Sequence, residues 1–178
     1  MTTIAAKQDK DGVRFAWDTQ VTRGSYAVGQ MDKVICFQNG AIVIGSSGHA
    51  RINNLLTTLK FDPLVETDFD PNNWMTNVFA PTVFEHLDKA KFAEVINGKY
   101  SGDNSFIVAV RGTVYDVDST LSWNTSDEGL YAIGSGYAYA IGAMATGYSP
   151  AEAVEVASRF DVYTNTQIRT LDVPDGWA

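Results

Sequence analysis

Short apolar runs separated by turn signals fill the first 45 residues. Residues 3–7 and 13–17 are β-like, and Asp11-Gly12 between them is a strong hairpin signal. Residues 33–38 and 41–45 flank a second tight turn, Asn39-Gly40, while 22–30 reads as a loop. After Gly48 the period changes. Ile52, Leu55, Leu56 and Leu59 fall at i, i+3, i+4 and i+7, the spacing of a helix that buries one stripe against a sheet. Prolines 63, 71 and 81 among many Asp and Asn mark 61–81 as loop, and a less regular helix is predicted over 83–96. Residues 106–110 and 113–117 flank Arg111-Gly112 as a third hairpin.

The last third has sharper punctuation. Residues 131–133 form a short strand, Gly134-Ser135-Gly136 a tight turn, and 137–146 a helix rich enough in Ala and Gly for another helix to pack closely on it. Gly147 stops that helix. Ser149-Pro150-Ala151-Glu152 then reads as a capping box opening a helix to about Arg159, with strands over 162–164 and 167–173. This order of elements is that of two sheets with helix layers outside.

A chain of 178 residues with 45% hydrophobic residues suits one globular domain over 1–178. A net charge of −8, with 13 scattered Lys and Arg, excludes a nucleic-acid surface, which needs clustered cations. The lone Cys36 allows no internal disulfide; in the apolar run 34–37 it reads as a buried strand residue in a reducing compartment. No leader-like segment opens the chain and no stretch nears the ~20 apolar residues of a membrane span, so a cytoplasmic protein without membrane contact is expected.

Motifs for cofactors fail on inspection. Asp68-Phe69-Asp70-Pro71-Asn72 opens like a calcium loop, but the sixth place lacks glycine and the twelfth is Phe79. Gly134-Ser135-Gly136 resembles a dinucleotide fingerprint until Tyr139 takes the place of the third glycine. His49 and His86 lack ligand partners at useful spacing. Neither metal nor cofactor is therefore expected.

Candidate chemistry lies at the start. Removal of Met1 would leave Thr2 with both a hydroxyl and a free α-amine, a nucleophile and base on one residue. An α-amine titrates near ~7.7–8, so much of it is an unprotonated base at neutral pH.

Thr2-Thr3-Ile4-Ala5, Ala16-Trp17-Asp18-Thr19-Gln20, Asp32-Lys33-Val34, Gly45-Ser46-Ser47-Gly48, Ala132-Ile133-Gly134-Ser135-Gly136 and Phe160-Asp161-Val162-Tyr163-Thr164-Asn165 occur in that order. The set resembles the signature of proteasome β-type subunits, among them the HslV-like threonine peptidases, within the N-terminal nucleophile hydrolases. Only 61–104 shows no match. The resemblance implies an α+β fold, a four-layer α/β/β/α sandwich. It implies Thr2 as nucleophile with its own amine as base, Lys33 as the cation favouring the alkoxide, and Asp18 as the partner holding that lysine. It implies the Gly48 N–H as oxyanion donor, and Ser135 and Asp161 orienting the amine with Thr164 where relatives usually have serine. It implies Val21, Met31, Ile35, Ser46 and Ala50 as substrate-pocket positions, uncharged and mostly apolar, from which cleavage after hydrophobic residues is expected.

The chain departs from the pattern in a loop one residue shorter between Asp18 and Lys33, and in His49-Ala50-Arg51 after Gly48. His49 reads as a solvent-facing residue at a helix start that could border the cleft. The implied assembly is a homo-oligomer of stacked hexameric or heptameric rings enclosing the sites. Peptides or unfolded proteins would be the substrates, delivered by a separate ATPase. The tyrosine- and alanine-rich stretch 137–148 offers subunit contacts or internal helix packing. Two rivals are a catalytically silent ring subunit and an amidase acting on a small molecule.

Overall fold

The computed structural model describes residues 2–65, 67–96, 99–101 and 104–174. The first hairpin forms as expected: β1 (Thr3–Asp9) and β2 (Gly12–Asp18) pair antiparallel, with Asp9 opposite Gly12 across the turn. Alternation along both strands sends Ile4, Ala6, Val13, Phe15 and Trp17 to one face and Ala5 and Ala16 to the other.

Residues 22–30 are not loop. β3 (Gln20–Arg23) and β4 (Tyr26–Gln30) make a two-stranded hairpin, closed at its base where Met31 N–H donates to the Thr19 carbonyl at 2.9 Å. Every residue of β4 is exposed, so the segment has no buried face to write alternation into the sequence. β5 (Val34–Phe37) and β6 (Ile42–Ser47) form the next hairpin around a 3-10 turn at Gln38–Gly40. Cys36 is exposed rather than buried, because β5 is the outer strand of its sheet.

α1 (Arg51–Leu56) is shorter than its apolar stripe, and Leu59 is buried beyond its end. The region read as proline-rich loop is largely helical: α2 (Pro71–Trp74) passes through a π-helical turn, Met75–Phe79, into α3 (Ala80–Lys89). Asp70 caps this helix, its Oδ1 accepting from Asn72 N at 2.9 Å and Asn73 N at 3.2 Å, with Pro71 in the first turn where no N–H is missed. Pro81 cannot donate to the turn before it, and the wider π turn precedes it directly. The second helix thus starts earlier and stops earlier than predicted; Glu94–Ile96 is β7, paired with β8 (Lys99–Ser101).

β9 (Ser105–Val110) and β10 (Thr113–Val117) form the third hairpin, followed by β11 (Trp123–Asn124), a short edge strand absent from the sequence reading. β12 (Leu130–Gly134), α4 (Tyr137–Ala145), α5 (Pro150–Phe160) and β13 (Ile168–Pro174) complete the chain. Ser149 and Glu152 form the capping box at the start of α5. Residues 162–164 are a turn rather than a strand, folded back so that Thr164 N–H donates to the Asp161 carbonyl at 3.1 Å.

Strands β12-β1-β2-β13 form one antiparallel sheet and β11-β10-β9-β6-β5 a second. Ile4, Phe15, Val43, Ile107 and Ile133 fill the space between them. Each such side chain removed from water contributes roughly 1.5–3 kcal/mol. α4 and α5 cover the outer face of the first sheet through small residues such as Ala140, Ala143 and Ala153. α1, α2 and α3 cover the second through Ile52, Leu56, Trp74, Phe79 and Leu87. The layers are α/β/β/α. Register brings the ends of several strands together: Thr3 lies opposite Gly134, Ile168 opposite Asp18, and Val34 opposite Gly45.

Candidate active site

At that end of the sheets Asp18, the last residue of β2, is fully buried and gathers four donors. Its Oδ1 accepts the Thr2 hydroxyl at 2.6 Å, the Thr3 N–H at 2.8 Å and the Lys33 ammonium at 2.8 Å. Its Oδ2 accepts the Gln20 N–H at 2.8 Å. Lys33 precedes β5 and is itself buried. Burial pushes the Lys33 ammonium below the ordinary lysine range, against the opposing pull of Asp18, through charge and hydrogen bond, and of Asp161 through charge. Removing either member of such a buried pair strands the other charge and costs about 3–5 kcal/mol.

A second network holds the other side of Thr2. Ser135 Oγ and Thr164 Oγ1 each donate to Asp161 Oδ2 at 2.6 Å. A hydroxyl has one hydrogen, so the 2.6 Å contact between Thr3 Oγ1 and Thr164 Oγ1 must be donated by Thr3. Ser135 Oγ also lies 3.4 Å from the Thr2 carbonyl oxygen, a longer second contact for the hydrogen it gives to Asp161. Two glycines make this approach possible. A Cβ on Gly134 would lie 1.9 Å from the Thr2 carbonyl oxygen, and one on Gly136 would lie 2.1 Å from Thr3 Oγ1. The Gly-Ser-Gly turn therefore brings β12 against Thr2 and Thr3 at backbone distance.

Thr2 and Lys33 open onto a cavity of about 470 Å³. Of the positions expected around the substrate, Val21, Met31, Ser46 and Ala50 line it, as does Gly48 at the end of β6. Ile35 does not: it alternates to the helix side of its sheet and packs against the outer core. His49 is exposed at the cavity wall, its ring 5.4 Å from that of Phe92. Arg23, Val28 and Asn53 also line the cavity and were not singled out from sequence. Arg23 and Val28 belong to the hairpin read as loop. Asn53 sits in the apolar stripe of α1, where its polarity was the only signal. Met1 lies outside the described residues. Among the described residues no group of three or more His, Cys, Asp or Glu could hold a metal ion, and no helix is long and apolar enough to cross a membrane.

The arrangement can hold a hydroxyl beside a buried cation on one carboxylate oxygen, with the Thr2 carbonyl oxygen next to the Ser135 hydroxyl. No protein-family model matches the chain, and no curated protein matches it in sequence. Solved structures do match. BPH from Thiobacillus denitrificans, solved in complex with epoxomicin, superposes with a TM-score of 0.78 at 18% identity, over 98% of this chain and 100% of that one. HslV from Trypanosoma brucei gives 0.65 at 22% identity, over 97% and 100%. Anbu, an ancestral β-subunit from Yersinia bercovieri, gives 0.73 at 13% identity, over 99% and 84%.

Proposed function

We propose that this chain, which has the proteasome-like N-terminal nucleophile hydrolase fold, is a threonine peptidase with Thr2 as nucleophile. The observation that carries the reading is the meeting of the Thr2 hydroxyl and the Lys33 ammonium on one oxygen of a fully buried Asp18, at the wall of a cavity.

Cleavage of the peptide bond before Thr2 supplies the base. While Thr2 remains in peptide linkage no amine is available, and its hydroxyl donates to Asp18. Once freed, the amine would be oriented by Ser135, whose own hydrogen goes to Asp161. The nearby Lys33 charge disfavours the protonated amine. The amine takes the hydroxyl proton, relayed by a water, and Oγ1 attacks the scissile carbonyl. The Gly48 N–H stabilises the oxyanion, a contribution of about 3 kcal/mol for one such donor. Collapse breaks the C–N bond and passes the proton to the departing amine, leaving an ester on Thr2. Water then adds to that ester and regenerates the hydroxyl.

The proposed working form is one domain over 1–178 assembled into stacked hexameric or heptameric rings in the cytoplasm. The sites would face an inner chamber, fed with peptides or unfolded proteins by a separate ATPase. The outer face of α4 and α5 supports assembly. Tyr137 and Phe160 are 55% and 63% exposed, and Phe160 stacks on Tyr139 at 5.3 Å, an apolar surface that a partner subunit would cover. Hydrolysis of fluorogenic peptides tests the reading. Thr2→Ala should abolish turnover with assembly unchanged; full activity in that variant would sink it.

A further inference from the structure

The cavity beside Thr2 carries a charge pattern opposite to that of the whole chain. The protein has 21 Asp and Glu against 13 Lys and Arg, yet among the described residues no acidic side chain lines this cavity, while Arg23, Lys33 and His49 do. Lys33 is already matched by Asp18. Arg23 is exposed at the end of β3, and among the described residues no ion pair engages it. Asn53, from α1, is only 8% exposed. Its Oδ1 accepts the Ser46 hydroxyl at 2.6 Å, which leaves the Nδ2 group with the Met31 sulfur at 3.6 Å. A thioether is a weak acceptor and a carboxamide nitrogen has two hydrogens, so Asn53 retains donor capacity for a stronger partner. An aliphatic side chain in this space would leave those donors against carbon, whereas an oxyanion would satisfy them.

Resting on the peptidase reading, we propose that this cavity takes an acidic side chain, glutamate or aspartate, of the substrate residue whose carbonyl Thr2 attacks. Arg23 provides the charge, Asn53 a neutral donor, and Val21, Met31 and Ala50 the apolar wall for the methylenes. This replaces the preference for hydrophobic residues expected from the five sequence-derived pocket positions alone. Steering by Arg23 is electrostatic and weakens as salt rises.

The test separates recognition from turnover. In the Thr2→Ala protein, two peptides identical except for a carboxy-terminal Glu or Leu are compared by titration calorimetry. The Glu peptide should bind at least tenfold more tightly, and Arg23→Gln in the same background should remove that advantage while leaving the Leu peptide unaffected. Equal affinities, tighter binding of the Leu peptide, or no binding of either at millimolar concentration would overturn the proposal, as would an advantage that survives Arg23→Gln. Labelling of the wild-type protein with two peptide epoxyketones, one ending in Glu and one in Leu at high concentration, reports on the nucleophile whichever side chain the cavity takes. An adduct without acidic preference leaves the peptidase and removes this pocket assignment; no adduct from either probe removes the peptidase reading and the pocket assignment with it.

Discussion

Asp18 and Lys33 form a pair whose value to the protein depends on protonation. In the proposed mechanism Lys33 acts as a cation, so it would serve below its pKa and fail above it. Burial lowers that pKa, with Asp18 and Asp161 opposing. The descending alkaline limb of peptidase activity should therefore fall below the ~10.4 of an ordinary lysine, while the ascending limb follows deprotonation of the Thr2 amine. A pH profile of kcat/KM checks this, and a descending limb at or above the ordinary lysine value would contradict it. Stability carries the same sign. Between the lowered folded pKa and the ordinary value the unfolded chain binds more protons, so this group makes stability rise with pH through that window. The roles proposed for these residues were legible only through six short motifs in order, because no single Thr, Asp or Lys announces chemistry by itself. Arg23 and Asn53 escaped because a cavity is a property of spatial neighbours.

Elements with a buried face or a local cap were readable, and those without were not. The hairpins around 11–12, 38–40 and 111–112 follow from alternation plus turns in which Gly12, Asn39, Gly40, Arg111 and Gly112 take a positive φ. The exposed β3–β4 hairpin has no inward face, so its sequence looks like loop. The start of α2 was present in the sequence as Asp70-Pro71, a cap followed by a first-turn proline, but the density of prolines masked it. The capping box of α5 is the cleanest local signal. Its Ser149 hydroxyl accepts from Glu152 N at 3.3 Å while Glu152 Oε2 accepts from Ser149 N at 2.8 Å. Ser149→Ala should destabilise the fold by about 1 kcal/mol. Urea unfolding measures this, and a change near zero would show that the cap is redundant. Because α5 ends at Asp161, fraying of this helix would also loosen the anchor of Ser135 and Thr164.

On the scale of the whole molecule, the two-sheet core makes the frame, and the proposed site sits where several strands meet a turn of glycines. The proposed assembly would use the exposed aromatic surface on α4 and α5. Light scattering of the purified protein should give a mass that is a multiple of the 19.4 kDa chain corresponding to stacked rings, and Phe160→Glu should shift it toward smaller species. A monomer in the unsubstituted protein would contradict the ring. Everything else depends on whether Thr2 becomes a free terminus. Epoxomicin, a peptide epoxyketone, joins both the hydroxyl and the α-amine of an N-terminal threonine, so one intact-mass and peptide-mapping experiment reads processing and nucleophile together. The predicted result is a chain lacking Met1 with a single adduct on Thr2, absent in Thr2→Ala. A chain that retains Met1 in every molecule and takes up no adduct would contradict the account.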